Sequence, residues 1–189
     1  MPSAYTVTNT ANSGAGSLPA AFGSGANVID FNIPTSDPGY NATTGTFTLS
    51  LPGTITLNSP FVIDGTSQPG YTGQPLIELN GTNAGAGADG IDVTGGNTTI
   101  EGLAINRYSG TGIFIGTLGG DTIKADYLGT DPTGTVALAN NIGLYIGSGN
   151  NVIGGTAAGS ANLISGNTVD GIQIGAGGTL NTIVGNVIG

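Results

Sequence analysis

The second half of the chain repeats short segments in which apolar and polar positions alternate. A first series follows a glycine and occupies 90–93, 112–115, 143–146 and 171–174. A second series occupies 98–102, 121–125, 151–155 and 181–185, and a third occupies 103–105, 127–128, 163–164 and 187–188. Alternation over three to five residues predicts β-strands, and no window keeps the spacing of a long helix. The chain is therefore predicted to be all-β.

The spacing of these segments predicts how the strands are connected. Successive glycines of the first series lie 22, 31 and 28 residues apart, so the shortest repeat holds three short strands. The surplus of the longer repeats falls in loops at 129–141 and 155–161, which are rich in turn residues. A meander would need tight two-residue turns between consecutive strands. The pattern instead favours a parallel β-helix with three strands in each coil and about five to six coils.

Stacked coils would bring equivalent apolar residues above one another in the interior. The predicted core columns are Ile63, Ile100, Ile123, Ile153 and Ile183, and Ile91, Ile113, Leu144 and Ile172. On the outer surface, Glu101 and Lys124 are predicted to be neighbours on adjacent coils and to help hold the register. Asparagine at the head of the second strand suits a stacked ladder of side-chain amides.

Upstream of residue 90 the repeat is looser. Strands are predicted at 54–57, 61–65 and 76–80 in the regular region, and at 28–33 and 46–51 before it. The segment 17–22 is the helix candidate, with Ser17 as its cap and Pro19 early in it. We expect one continuous domain, with an N-terminal cap and irregular coils over 1–53 and regular coils over 54–189, as part of a longer solenoid.

Composition removes several classes of chemistry. Among 189 residues there is no Cys, His or Trp, and the basic residues are Arg107 and Lys124. Catalytic triads with histidine and cysteine-histidine zinc sites are therefore excluded. A net charge of −9 disfavours nucleic acid and anionic membrane surfaces as partners. No apolar stretch approaches the ~20 residues that span a bilayer, so no membrane insertion is expected.

Several motifs resemble those of the bacterial right-handed parallel β-helix repeat proteins, which share the pectate-lyase-like fold. They are the segments 5–10, 16–18 and 63–70 and the Asn-x-Ile-x-Gly segments at 151–155 and 181–185. The resemblance implies a right-handed helix and an exported protein, extracellular or at the cell surface. No signal peptide is expected at Met1-Pro2-Ser3-Ala4, because no basic segment precedes an apolar run. Many members of the family have no established enzymatic role.

The sequence gives weaker evidence for functional sites than for the fold. Related enzymes cleave polysaccharides with Ca²⁺ and a basic residue, or with aspartates and a histidine, and no tight acidic cluster stands out here, so no catalytic residue is predicted. No cofactor is expected, with Ca²⁺ as the open alternative at Asp121, Asp126 and Asp131, because loop carboxylates suit this ion. The competing interpretation is that these aspartates are ordinary turn residues.

Aromatic residues form the remaining candidate. Phe114 above Tyr145, with Tyr108 and Tyr127 nearby, would offer a strip on which sugar rings stack, unless the pair only stabilises the sheet. We therefore expect a non-enzymatic extracellular scaffold or adhesin segment, with a polysaccharide-binding or lyase-like β-helix as the alternative. Besides polysaccharide, the expected partners of the last coil are a second copy, forming a dimer, or further repeats of a longer chain.

Overall fold

The regular secondary structure of the chain consists mainly of short β-strands joined by turns and loops. The computed structural model describes residues 3–189; Met1 and Pro2, which belong to the predicted cap region, lie outside the described residues. The strands are β1 Ala4–Val7, β2 Val28–Phe31, β3 Tyr40–Asn41, β4 Thr46–Leu49, β5 Ile55–Leu57, β6 Val62–Asp64, β7 Ile77–Asn80, β8 Ile91–Val93, β9 Thr99–Glu101, β10 Leu103–Asn106, β11 Thr111–Ile115, β12 Thr122–Lys124, β13 Tyr127–Leu128, β14 Ile142–Ile146, β15 Val152–Gly154, β16 Leu163–Ile164, β17 Asp170–Ile174, β18 Thr182–Val184 and β19 Val187–Ile188.

These strands form three sheets. Sheet A has the order β1-β2-β6-β9-β12-β15-β18, sheet B has the order β19-β16-β13-β10-β7-β4-β3, and sheet C has the order β17-β14-β11-β8-β5. Neighbouring strands run parallel except β3 and β4, which pair antiparallel. All twelve strands of the repeated segments were predicted and are present, whereas β1 and β3 were not predicted as strands.

Strand assignment follows a strict rotation along most of the chain. From β4 to β19, consecutive strands fall in sheet B, then C, then A, and this order repeats without exception. Each strand therefore pairs with the strand three positions further along the chain, as β9 pairs with β12 and β12 with β15. No strand in this stretch pairs with its immediate successor.

The core lies between the inner faces of the sheets. Ile63, Ile100, Ile123 and Ile153 are in direct register in sheet A and are at most 1% exposed. The second predicted column behaves alike in sheet C, where Ile91, Ile113 and Leu144 are fully buried and in register. The last member of each column is less covered: Ile172 is half-buried and Ile183 is 37% exposed.

The predicted helix is present as α1, Leu18–Gly23. Ser17 caps it by accepting a hydrogen bond from the Ala20 backbone N–H at 3.3 Å, and Pro19 lies in the first turn, where its missing N–H costs nothing. Leu18 and Ala21 are fully buried. Two 3₁₀ turns, Gly65–Ser67 and Gly81–Asn83, follow β6 and β7.

The middle and the last member of one column provide a matched pair of substitutions. Ile123→Ala removes a side chain buried on all sides, and we expect it to lower the free energy of unfolding by about 2–5 kcal/mol. Ile183→Ala makes the same chemical change at a partly exposed position, and we expect a loss under about 1 kcal/mol. Urea denaturation followed by circular dichroism measures both. Equal losses would contradict the assigned core.

Candidate functional site

Phe114 and Tyr145 form a stacked aromatic pair on the outer face of sheet C. They are register partners in β11 and β14, and their rings stack with centroids 4.6 Å apart and planes at 4°. Both side chains are half-buried. The neighbours in the same column of sheet C are Asp92 on one side and Gln173 on the other.

The orientation of these rings limits what they can bind. Because the ring spacing matches the ~4.8 Å between parallel strands, the ring faces point along the sheet towards Asp92 and Gln173. The rings also lie beside glycines further along the strands: a Cβ at Gly147 would be 3.0 Å from Tyr145 Cε1. One face of each ring is covered by the other ring, so the pair leaves at most one free face on each ring for sugar stacking.

The other two predicted aromatic residues lie elsewhere. Tyr108 is 1% exposed and packs in the core, where a Cβ at Gly81 would meet its ring, so its predicted place in a surface strip is wrong. Burial raises the pKa of its hydroxyl. Tyr127 is half-buried in sheet B, in register with Ala104 and Leu163. The proposed four-residue strip thus reduces to one stacked pair.

The three candidate calcium ligands do not converge. Asp121 precedes β12, Asp126 lies between β12 and β13, and Asp131 sits in the loop after β13. Among residues 3–189, no three acidic side chains are arranged to hold a metal ion. Asp131 instead organises its own loop, accepting hydrogen bonds from the Thr133 hydroxyl and from the backbone N–H groups of Thr135 and Val136.

Asp121 and Asp126 belong to hydrogen-bonded chains at the corners between sheets, which we call corner ladders. In each ladder a backbone N–H donates to a side-chain oxygen in the next coil, where a coil means one set of three consecutive strands, one in each sheet. The ladder between sheets C and A contains Thr98, Asp121, Asn151 and Asn181; that between A and B contains Asp126, Asn162 and Asn186; that between B and C contains Asn140 and Asn167. The donor–acceptor distances range from 2.8 to 3.3 Å.

At ladder positions an asparagine side chain makes more hydrogen bonds than an aspartate side chain does. Asn162 Nδ2 donates to the Ile123 carbonyl at 2.8 Å, and Asn186 Nδ2 makes the equivalent bond to Ile153 at 2.9 Å. Asp126 occupies the same position one coil earlier, but its Oδ2 has no partner among the described residues. Asp121 Oδ2 is likewise unpartnered. A protonated carboxyl group is the form that would supply the missing donor.

The environment favours that protonated form. Burial raises the pKa of Asp126 well above its usual range, against the opposing effect of the hydrogen bond from the Leu103 N–H. Glu101 raises this pKa further and Lys124 lowers it. Burial also raises the pKa of Asp121, opposed by the bond from Thr98. For Asp131, burial is outweighed by hydrogen bonds from Thr133, Val136 and Thr135, which lower its pKa.

A column of charges crosses the outer face of sheet A. Asp30, Asp64, Glu101 and Lys124 follow one another in register. Lys124 Nζ lies 3.0 Å from Glu101 Oε2, so the predicted ion pair is present, with 34% and 20% of the two side chains exposed. Such a pair contributes at most about 1 kcal/mol. Burial, and next the charge of Asp64, raise the pKa of Asp30.

A buried carboxylate in sheet B was not predicted. Glu78 is 7% exposed, and its oxygens accept from the Thr48 hydroxyl at 2.7 Å and from Asn106 Nδ2 at 2.9 Å. Asn106 also donates to the Thr130 carbonyl, which belongs to the long loop 129–141. The carboxylate thus links β7 to β4 and β10 by hydrogen bonds, and Asn106 links β10 to this loop.

Two clefts lie near the N-terminal part of the molecule. One, of about 470 Å³, is walled by Tyr40, Phe47 and Leu76, above the buried amide of Gln68. The other, of about 380 Å³, lies between α1 and β5. Neither is lined by Asp, Glu, Lys or Arg. Neither cleft therefore contains a pair of groups for acid-base catalysis.

Comparison with known proteins returned no matching family model, no matching curated protein and no matching solved structure. Among the described residues, no helix is long and apolar enough to cross a membrane.

The unpartnered carboxyl group of Asp126 leads to a pH-dependent prediction. Because its pKa is raised on folding, the contribution of Asp126 to stability is fully present below the unfolded pKa of ~3.9 and is lost as pH rises through the folded pKa. Asp126→Asn supplies the donor at every pH, so we expect it to stabilise the protein at pH 7 by about 1–3 kcal/mol. Near pH 3 the gain should shrink.

Asp131→Asn is the matched control, measured by thermal unfolding at the same pH values. Its pKa is lowered on folding, so its stabilising effect is present above the unfolded pKa and disappears on acidification. We therefore expect Asp131→Asn to destabilise the protein at pH 7. A stabilising effect of both substitutions, or a loss with Asp126→Asn, would refute the assigned protonation.

Proposed function

We propose that the chain is a right-handed parallel β-helix and serves as a non-enzymatic structural segment of an extracellular or cell-surface protein. The rotation of sixteen consecutive strands through sheets B, C and A carries the proposal. A chain that visits three sheets in a fixed order, and pairs each strand in parallel with the third one after it, advances as a helix of coils. Right-handed crossovers are the overwhelming preference of parallel strands.

The use of the polar side chains supports a structural role. Asp121, Asp126 and Glu78 are buried and hydrogen-bonded to neighbouring strands or loops, and Asp131 caps a turn. Glu101 is paired with Lys124 on an outer face. These carboxylates contribute to the stacking and folding of coils, and no two of them face each other across a cleft as an acid-base pair would.

The coil arrangement is tested by a disulfide in a chain that has no cysteine of its own. Thr122 and Val152 are register partners on the outer face of sheet A, thirty residues apart in sequence. Parallel neighbours lie ~4.8 Å apart, within the range that a disulfide spans. We expect the double variant Thr122→Cys with Val152→Cys to form an intramolecular disulfide on mild oxidation.

The control pairs Thr122→Cys with Thr182→Cys, whose side chains lie two strands apart at about 10 Å and cannot be bridged. Mass spectrometry after alkylation distinguishes the oxidised from the reduced form. Oxidation of both variants to the same extent, or of the control alone, would refute the coil register.

The observation that favours the alternative, polysaccharide binding or cleavage, is the half-buried Phe114–Tyr145 pair. A panel of pectins and other acidic and neutral glycans, with and without Ca²⁺, separates the two functions. We expect no shift in melting temperature and no absorbance from unsaturated sugars. A glycan that raises the melting temperature of the wild type but not of Tyr145→Ala would favour the alternative, provided that Tyr127→Ala still responds.

A further inference from the structure

The last described coil, formed by β17, β18 and β19, exposes three strand edges and a set of apolar side chains. In the preceding coil Ile146, Ile153 and Ile164 are fully buried, and their register partners are Ile174, Ile183 and Ile188. These partners are 53%, 37% and 53% exposed. The same inward positions thus change from buried to exposed within one coil, so the surface is a cross-section through the core.

Each of the three corner ladders ends at this surface with a backbone N–H donor. Each ladder passes a hydrogen bond from a backbone N–H to the side-chain oxygen of the next coil, as Asn151 donates to Asn181 and Asn162 to Asn186. The backbone N–H groups of Asn167, Asn181 and Asn186 find no acceptor within residues 3–189. Three donors therefore stand at the three corners of the exposed coil.

We infer that this surface binds a further coil of the same parallel pattern, with an oxygen-bearing Asn, Asp or Thr side chain at each corner. Such a coil continues the three sheets, covers Ile174, Ile183 and Ile188, and presents one acceptor to each of the three N–H groups. The inference deepens the proposed function, on which it rests, because it assigns the face through which the structural segment is extended.

The ladder polarity argues against a second copy as the occupant. Two copies meeting through this face would set the N–H donors of one against those of the other. Their asparagine oxygens are already turned towards their own inner coils, as Asn181 Oδ1 accepts from Asn151. The opposite end of the molecule does not fit either, since β3 runs antiparallel to β4 there and α1 packs beside β1.

The test extends the chain after Gly189 with a second copy of residues 166–189. This length matches the 24-residue offset between β16 and β19, so the added segment begins in phase. Hydrogen exchange followed by NMR reports on single amides. We expect the N–H groups of Asn167, Asn181 and Asn186 to exchange at least about tenfold more slowly in the extended chain.

The matched control is the same extension with alanine in place of its three corner asparagines. We expect it to leave the three amides fast, because no side-chain oxygen reaches them. Equal protection by both extensions, or by neither, would overturn the inference. So would concentration-dependent protection of the unextended chain together with a dimer mass in light scattering, since a second copy would then be the occupant.

An internal reference separates this inference from the proposed function. The N–H groups of Asn140, Asn151 and Asn162 have acceptors inside the chain and should exchange slowly in every variant. If they are slow while the extension fails to protect the outer three, the helix of coils stands and only the docking surface is wrong. If the inner three are also fast, the proposed β-helix fails as well.

Discussion

This architecture depends on finding hydrogen-bond acceptors for the backbone N–H groups at the corners between sheets. Parallel sheets satisfy the amides within strands, but a chain that turns from one sheet into the next leaves amides that no neighbouring strand can accept. A buried N–H without a partner costs about 1–3 kcal/mol, and the corners recur in every coil. Within the corner ladders one short side chain accepts from each such N–H, so coils of different length keep their register.

The corner ladders explain why the loops differ in length while the corner positions keep their hydrogen bonds. The long loop 129–141 and the shorter one at 155–161 add residues between corners. Asn140, near the end of the first loop, and Asn162, directly after the second, still occupy ladder positions. The residue before a corner often adopts a left-handed conformation, with φ of 61° at Asn150 and 58° at Leu180. Corner geometry therefore outweighs the local preference of a residue such as leucine.

Much of this follows from sequence pattern, because alternation is a local property. The isoleucine columns, the helix at Leu18–Gly23 and the Glu101–Lys124 pair depend on spacing alone. The burial of Tyr108 and Glu78 does not. Tyr108 lies at a corner rather than in a strand, and Glu78 is buried beside Asn106, which binds the loop 129–141 from later in the chain. Neither contact is encoded within a single repeat.

At two ladder positions an aspartate, Asp121 or Asp126, stands in place of the asparagine found at the later positions of the same ladder, and this changes the hydrogen bonds that the corner can make. An asparagine at a corner accepts one bond and donates another, and both bonds are made at Asn162 and Asn186. A carboxylate at the same place accepts only, so either a proton binds it or an oxygen stays unpartnered in the interior. Because burial shifts the balance towards the protonated form, the stability of the coil that contains Asp121 and Asp126 depends on proton concentration.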